Sequence, residues 1–466
     1  MGKYHKVILT IPIVLYLFFS LWDLKNPGLH NDEAFFVIPA LMSNFDDEIF
    51  TFFKFHKFPL LLTPYIGALK AYIYYPVFKI FNVSVYSIRV PMIVFGTVTL
   101  FFIYQTVKII YDNKVAFFCL FMTSINPSII THLRMDYGHS GIEVFFKSLA
   151  LYLFFLCIKN KKYFYLPLIA LIISLGVFAR LNFIWFSNAF IIAAFIFYRN
   201  DIIALLKGLS VRGLNIKSLF MLCSYSISYI YFFFIITRYD YLSKQVSLEN
   251  FRTYFVKVLD ILIQQVSGVG FYNWIIGDFK MSLYAGYFVL FMAVIFLGIF
   301  LCSYNRKKRV AEERREIDHR AVFFFLVLMV VNIMPMFLTK KTAKSWYAFE
   351  MHPFITIIFS VCAYYSYNYF YKSLSKKTLL VFSVIIIIAY NIGTNILYIT
   401  SYSKPVKNIF WSSKIYDLIN YTKKMNVKFV CVDWGIYSQL VAHDPKMGKY
   451  QQICGVTIDA KEEDID

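Results

Sequence analysis

The chain has 466 residues, of which 59% are hydrophobic and 16% charged, and it carries a formal net charge of +20. The apolar fraction exceeds the roughly half expected of a soluble domain. The excess lies in repeated runs of about 17–22 residues, each able to cross a bilayer core of ~30 Å, and a soluble helix, which needs a polar face, is excluded for runs this long. Nucleic-acid binding is not the reading of the positive charge. Basic residues cluster in short loops between apolar runs, as the positive-inside bias dictates, and there is no zinc-finger or RNA-binding signature.

In chain order, spans are predicted at about 7–22, 88–110, 115–131, 141–158, 164–179, 182–198, 218–237, 281–302, 321–338, 353–371 and 378–399. MGKYHK followed by an apolar run resembles a signal sequence, but no small-x-small cleavage site follows, so the first span is read as uncleaved. With the N-terminus in the cytoplasm, the inside connections are 111–114, 159–162, 198–217, 303–320 and 372–377, and all carry Lys or Arg. The fold class is therefore an all-α polytopic membrane protein of about 11 transmembrane helices, range 10–13. It divides into a membrane module, 1–399, and a short non-cytoplasmic tail, 400–466.

Three outer segments remain. The first, 23–87, contains PLLLTPYIGALKAYIYYPVFKIF, expected as short interfacial helices. The second, 238–280, contains an amphipathic helix opened by Ser247. The third is 339–352. In the tail, NVKFVCVDWGIYSQLVAH reads as a strand and then a helix, a small mixed α/β segment. Of the seven cysteines, five lie in or beside spans as small hydrophobes. Cys431 and Cys454 could pair if the tail is outside.

Chemistry-bearing residues gather at the outer ends. Asp32 and Glu33 follow the first span in LHNDEAFF, where a carboxylate in a wet cavity can act as a base or hold a metal. A solvated, helix-capping loop is the bland alternative. His132, Arg134, Asp136, His139 and Glu143 crowd the outer end of the third span. Lys340, Lys341 and Lys344 precede His352-Pro353 and suit an anionic phosphate or lipid headgroups. Lys57, Lys70, Arg89 and Arg180 mark other outer edges. Arg180 is costly to bury unless a carboxylate or a ligand phosphate meets it. There is no HExxH motif and no carboxylate facial triad, so a divalent cation would rest on the outer carboxylates alone.

Taken in order, NDEAFF, PYIGALKAYIYYPVFKIFNVSVYSIRVPMIVFG at 64–96, and Arg134-x-Asp136 resemble the GT-C superfamily of polyprenyl-phosphate-dependent membrane glycosyltransferases. The similarity is to the protein O-mannosyltransferase and aminoarabinose-transferase branch; it covers about 1–200 and beyond that rests on topology and YAFEMHP. The resemblance implies transfer of a sugar from a polyprenyl-phosphate donor to a protein, lipid or glycan acceptor, with inversion, on the outer face of a bacterial or archaeal plasma membrane. No resident cofactor is expected beyond a divalent cation at the outer carboxylates. Asp32 would be the catalytic base, Glu33 would orient the loop or acceptor, and Asp136 would help bind acceptor or donor. Lys57, Lys70, Arg134, Arg180, Lys344 and His352 are the candidates for the donor phosphate. The family's basic residue before the outer proline of a late helix appears here as E-M-H-P. A transporter or flippase for a lipid-linked saccharide is the alternative, and would place charges deep in the membrane.

Overall fold

The structure is a computed structural model describing residues 3–41, 52–56, 58–135, 137–210, 223–231, 233, 251–277, 282–307, 319–338, 345–370, 373–404, 411–425, 428–431, 434–444 and 450–452. Helix α1 (Lys3–Leu21) leads to the short α2 (Asn31–Phe35), which carries the acidic motif, and a 3-10 turn follows at Ile38–Ala40.

The segment expected as interfacial helices is helical only in its second half. Strands β1 (Phe53–Phe55), β2 (Phe58–Thr63) and β3 (Ile66–Gly67) form an antiparallel sheet in that order, and α3 (Leu69–Phe81) follows. Pro59 and Pro64 interrupt PLLLTP too closely for a helix, because each removes a donor and clashes with the preceding turn. Pro59 sits near the start of β2, opposite Lys54, a place a strand proline tolerates.

Helix α4 (Val85–Ile110) begins earlier than expected. Ser84 Oγ accepts the Ser87 N–H at 3.1 Å, and Ser87 Oγ accepts the Ser84 N–H at 2.8 Å. This reciprocal cap places Pro91 inside the helix, not at its start. Asp112 caps α5 (Asn113–Ser124) through the N–H groups of Lys114 and Val115. The predicted third span is broken: α5 and α6 (Pro127–Met135) meet at 62°, because Pro127 cannot continue the ladder and Asn126 caps the new helix through Ile129.

The remaining helices are α7 (Ser140–Asn160), α8 (Tyr165–Ala179), α9 (Phe183–Ser210, kinked at Tyr198), α10 (Phe251–Ser267), α11 (Gly270–Ile275), α12 (Ser282–Lys307), α13 (His319–Leu338), α14 (Ser345–Ala348), α15 (Phe354–Tyr369) and α16 (Leu374–Ser401). The cap residue Ser247 lies outside the described residues. Among the described residues five helices are long and apolar enough to cross a membrane, and the bent pair would make six. That is fewer than the eleven or so spans expected. Leu9–Leu21, Tyr165–Ala179 and Gly286–Cys302 are apolar but shorter, and much of the predicted 218–237 span lies outside the described residues.

Helix α4 packs on α7, α7 on α8, α9 on α13 and α12 on α15. The core between them is built largely of rings. Phe154 stacks on Phe324 at 5.6 Å, with Phe190 and Tyr198 set edge-on around them, an arrangement that suits ring quadrupoles. Gly96 lets α1 approach α4, since a Cβ there would lie 2.0 Å from the Tyr16 hydroxyl.

The tail folds back onto the acidic motif. It contains α17 (Lys414–Lys424), β4 (Phe429–Cys431), α18 (Trp434–His443) and β5 (Tyr450–Gln452), the two strands pairing in parallel. Cys454 lies outside the described residues, and the expected Cys431–Cys454 disulfide with it. Helix α18 packs on α2, and the Gly28 N–H donates to the Trp411 carbonyl at 2.7 Å. A Cβ on Gly28 would lie 2.2 Å from the Ser412 carbonyl oxygen and 2.8 Å from the Ser413 nitrogen, both backbone. Gly28→Ala is therefore expected to undock the tail, at a cost of about 1–3 kcal/mol. The checks are a lower unfolding midpoint and faster proteolysis of the chain beyond Trp411.

Candidate active site

A five-residue helix cannot hold itself together, so α2 is fixed by its surroundings. His30, with extended backbone, accepts the Asp32 N–H on Nδ1 at 3.1 Å, and Glu33 Oε1 accepts the His30 N–H at 3.0 Å. Burial first, and then the Arg89 charge, push the His30 imidazole down to about 3. The ring is therefore neutral, as a proton-accepting Nδ1 requires.

Arg89 of α4 supplies the anchor. Its Nε donates to Glu33 Oε2 at 2.8 Å and its Nη2 to Oε1 at 2.7 Å. Its Nη1 donates to the Leu24 and Pro27 carbonyls at 2.6 and 2.9 Å, and Nη2 also reaches the Gly28 carbonyl at 3.1 Å. Five contacts match the five donors of a guanidinium. Arg89 and Glu33 are both fully buried. Glu33, grouped with the catalytic residues on sequence grounds, thus spends both oxygens on α2 and α4 and holds a positioning place.

Asp32 lies on the other side of α2, half-buried. Asn31 Nδ2 donates to its Oδ1 at 3.2 Å. Burial raises its carboxyl to about 6, against the opposing pull of Lys70 and Arg180; Glu33 raises it further, and a hydrogen bond from Tyr137 lowers it. Lys70 and Arg180 are themselves buried. Lys70 sits in the first turn of α3, its ammonium 5.7 Å from the Tyr74 ring. Arg180 occupies the corner between α8 and α9, its guanidinium 5.0 Å from the Tyr347 ring. The two corners are joined through backbone: Ile66 bridges Arg180, and Leu181 N donates to Tyr65 O at 2.9 Å. Only glycine fits at position 67, where a Cβ would lie 1.9 Å from the Phe178 carbonyl oxygen.

The carboxylate expected for Arg180 is Glu143, whose Oε1 accepts from Nη1 at 3.1 Å, while the Arg180 Nε has no hydrogen-bond partner among the described residues. His139 joins this group. It is fully buried with φ of 65°, and neither ring nitrogen has a hydrogen-bond partner among the described residues. Burial, Lys70 and Arg180 together hold it far below the ordinary imidazole range. Positive φ on a non-glycine residue and orphaned polar atoms are both costs. Both fall on His139, which the sequence places in the outer-end cluster without a role.

Arg134 sits elsewhere. It donates to the Asp23 and Asn26 carbonyls, both at 2.6 Å, and to the Phe19 carbonyl at 3.4 Å, and it stacks on Tyr402. It closes the end of α1 and the turn after it. Asp136, Lys57 and Lys344 lie outside the described residues. His352, also fully buried, has both ring nitrogens without a hydrogen-bond partner among the described residues. It heads a largely apolar cleft between helices, lined by Met122, Val266, Val289, Ala293, Ile355, Phe359 and Ile387, with Asn126, Thr356 and Asn391.

Three further groups, two of them buried, meet near this cleft: Lys147 pairs with Glu350, and Glu350 with the half-buried Asn182. Lys147 was passed over. The signal for it was a lysine inside an apolar span, four residues after a glutamate. Among the described residues no group of three or more His, Cys, Asp or Glu side chains is placed to hold a metal. The charged neighbours of Asp32 include two cations, and Glu33 is committed to Arg89. Among the described residues, therefore, no donor set for a divalent ion is assembled around Asp32.

Residues 67–238 match the family model described as dolichyl-phosphate-mannose-protein mannosyltransferase. No curated protein sequence matches the chain. Solved structures match along nearly its whole length. The oligosaccharyltransferase of Archaeoglobus fulgidus, tethered to an acceptor peptide, superposes with a TM-score of 0.58 at 14% identity, over 97% of this chain and 64% of that one. AglB from the same organism, bound to an inhibitory peptide and dolichol-phosphate, gives 0.56 at 15% identity, over 96% and 64%. ArnT from Cupriavidus metallidurans, bound to undecaprenyl phosphate, gives 0.53 at 9% identity, over 94% and 84%. The chain is thus a polytopic membrane protein with a GT-C-type fold. It spans about 64% of the length of the archaeal oligosaccharyltransferases it matches.

Proposed function

We propose that this protein is an inverting glycosyltransferase that moves a sugar from a polyprenyl-phosphate donor to an acceptor on the non-cytoplasmic face of the membrane. The observation that carries the reading is the half-buried Asp32 carboxyl set among the buried cations Lys70 and Arg180. A displacement with inversion needs one base and stabilisation of one leaving group. Asp32 takes the proton from the acceptor hydroxyl as its oxygen bonds to the anomeric carbon. The carbon–oxygen bond to the lipid phosphate breaks, and the electron pair leaves with the phosphate. Lys70 and the spare Nε edge of Arg180 meet the charge that develops there. The apolar cleft headed by His352 suits an isoprenoid chain, and the half-exposed face of Asp32 suits an acceptor arriving from water. The N-terminus lies in the cytoplasm and the tail outside, with 1–399 as the catalytic module.

The test is a reconstituted assay offering polyprenyl-phosphate sugars with protein, lipid and glycan acceptors. Transfer with inverted anomeric configuration is expected. Lys70→Met is expected to slow it by roughly 10²–10³-fold, the scale of removing one donor from a developing anion. Movement of lipid-linked saccharide across the bilayer without transfer would instead make the protein a flippase.

A further inference from the structure

The groups that touch Asp32 leave a second buried cluster unused. Lys147 Nζ pairs with Glu350 Oε2, Asn182 Nδ2 donates to Glu350 Oε1 at 2.9 Å, and Asn332 Nδ2 donates to the Glu350 carbonyl at 2.8 Å. Glu143 Oε1 accepts from Arg180 Nη1 at 3.1 Å. Every charged member is at most 3% exposed. Charge is costly to bury, and it is tolerated when each group is paired.

The chain order gives this cluster a direction. Glu143 and Lys147 lie one turn apart on α7 and share a face. Tyr347, under the Arg180 guanidinium, and Glu350, on Lys147, belong to the same short segment before α15. Arg180 is therefore held by α7 through Glu143 and by the 345–352 segment through Tyr347, and Glu350 ties those two supports together.

We propose that Glu350, with Lys147 and Glu143, positions Arg180 for the lipid phosphate, so that donor affinity depends on the 345–352 segment being docked. The inference rests on the glycosyltransferase reading. With Glu350→Gln, Lys147 loses its partner and draws Glu143, one turn away, off Arg180. Arg180 then no longer aims its free edge at the phosphate.

The experiment measures undecaprenyl phosphate binding to the purified full chain by tryptophan fluorescence, together with donor KM, kcat and the unfolding midpoint. Glu350→Gln is expected to weaken binding and raise donor KM roughly tenfold, the scale of one charge-assisted hydrogen bond, with kcat within about threefold. Lys147→Met alone leaves Glu350 unpaired and is expected to unfold more easily. The double variant Glu350→Gln/Lys147→Met removes both charges, so stability and donor affinity are expected to recover together. If Glu350→Gln lowers only the unfolding midpoint, or the double variant regains stability but not affinity, the positioning role is overturned. If the wild-type chain does not bind undecaprenyl phosphate at all, the donor class fails first, and the positioning role falls with it.

Discussion

Asp32→Asn is expected to lower transfer by roughly 10²–10⁴-fold, the usual contribution of a positioned general base, with donor KM little changed. Asparagine keeps the size of the side chain and its contact with Asn31 while removing the ability to take a proton. The pH profile carries the same signature. Burial raises the Asp32 carboxyl from its ordinary 3.8 to about 6. A base works when ionised, so the wild-type rate is expected to fall as pH drops through about 6 and to level off above it. Stability runs the other way. The folded chain holds this proton more tightly than the unfolded one, so the Asp32 contribution declines as pH rises from about 4 to about 6. Asparagine mimics the protonated acid. The variant is therefore expected to match wild-type stability near pH 4 and to exceed it near pH 8. An inactive variant that is more stable only at high pH separates a functional carboxylate from a structural one. A variant that keeps its activity ends the base assignment.

The parts of this site legible in the sequence are those set by local pattern. Apolar runs reveal helices because lipid leaves no other way to satisfy backbone groups, and Asp32 is conspicuous because it follows the first run directly. What pairs across the fold was hidden. Glu33 and Arg89 are 56 residues apart, and Lys147 and Glu350 are 203 apart. No periodicity links such positions, so neither the Arg89 anchor of Glu33 nor the hold of Arg134 on the 19–26 carbonyls could be read from the sequence. The first outer loop misled for a different reason. Its composition is apolar throughout, and only the spacing of Pro59 and Pro64 separates the sheet from the helix that follows. The break at Asn126-Pro127 had the same kind of signal, a proline within an apolar run, and splitting the run there divides α5 from α6.

The largest stability effect is expected at the Arg89–Glu33 pair, and it tests whether Asp32 is placed by this anchor. Arg89→Met leaves the Glu33 carboxylate buried without its partner and removes the donors that bind the Leu24, Pro27 and Gly28 carbonyls. Breaking a buried pair from one side costs about 3–5 kcal/mol, and the three abandoned carbonyls add to it. Arg89→Lys is expected to fare little better, because one ammonium cannot span five acceptors in a fixed fork. Glu33→Gln keeps the shape but leaves the guanidinium facing neutral oxygens only. The double variant Arg89→Met/Glu33→Leu removes both charges together. It is expected to recover part of the stability, since replacing a whole buried pair by apolar groups is often near neutral. It is not expected to recover transfer, because the 24–28 carbonyls stay unbound and the His30 N–H loses its acceptor. The checks are a double-mutant cycle on the unfolding midpoint and proteolysis within 24–36. A chain that is restored in stability, still inactive and cut faster in that segment would mean that the ion pair serves to hold α2, and Asp32 with it, against α4. Equal recovery of stability and transfer would show that Asp32 finds its place without the anchor.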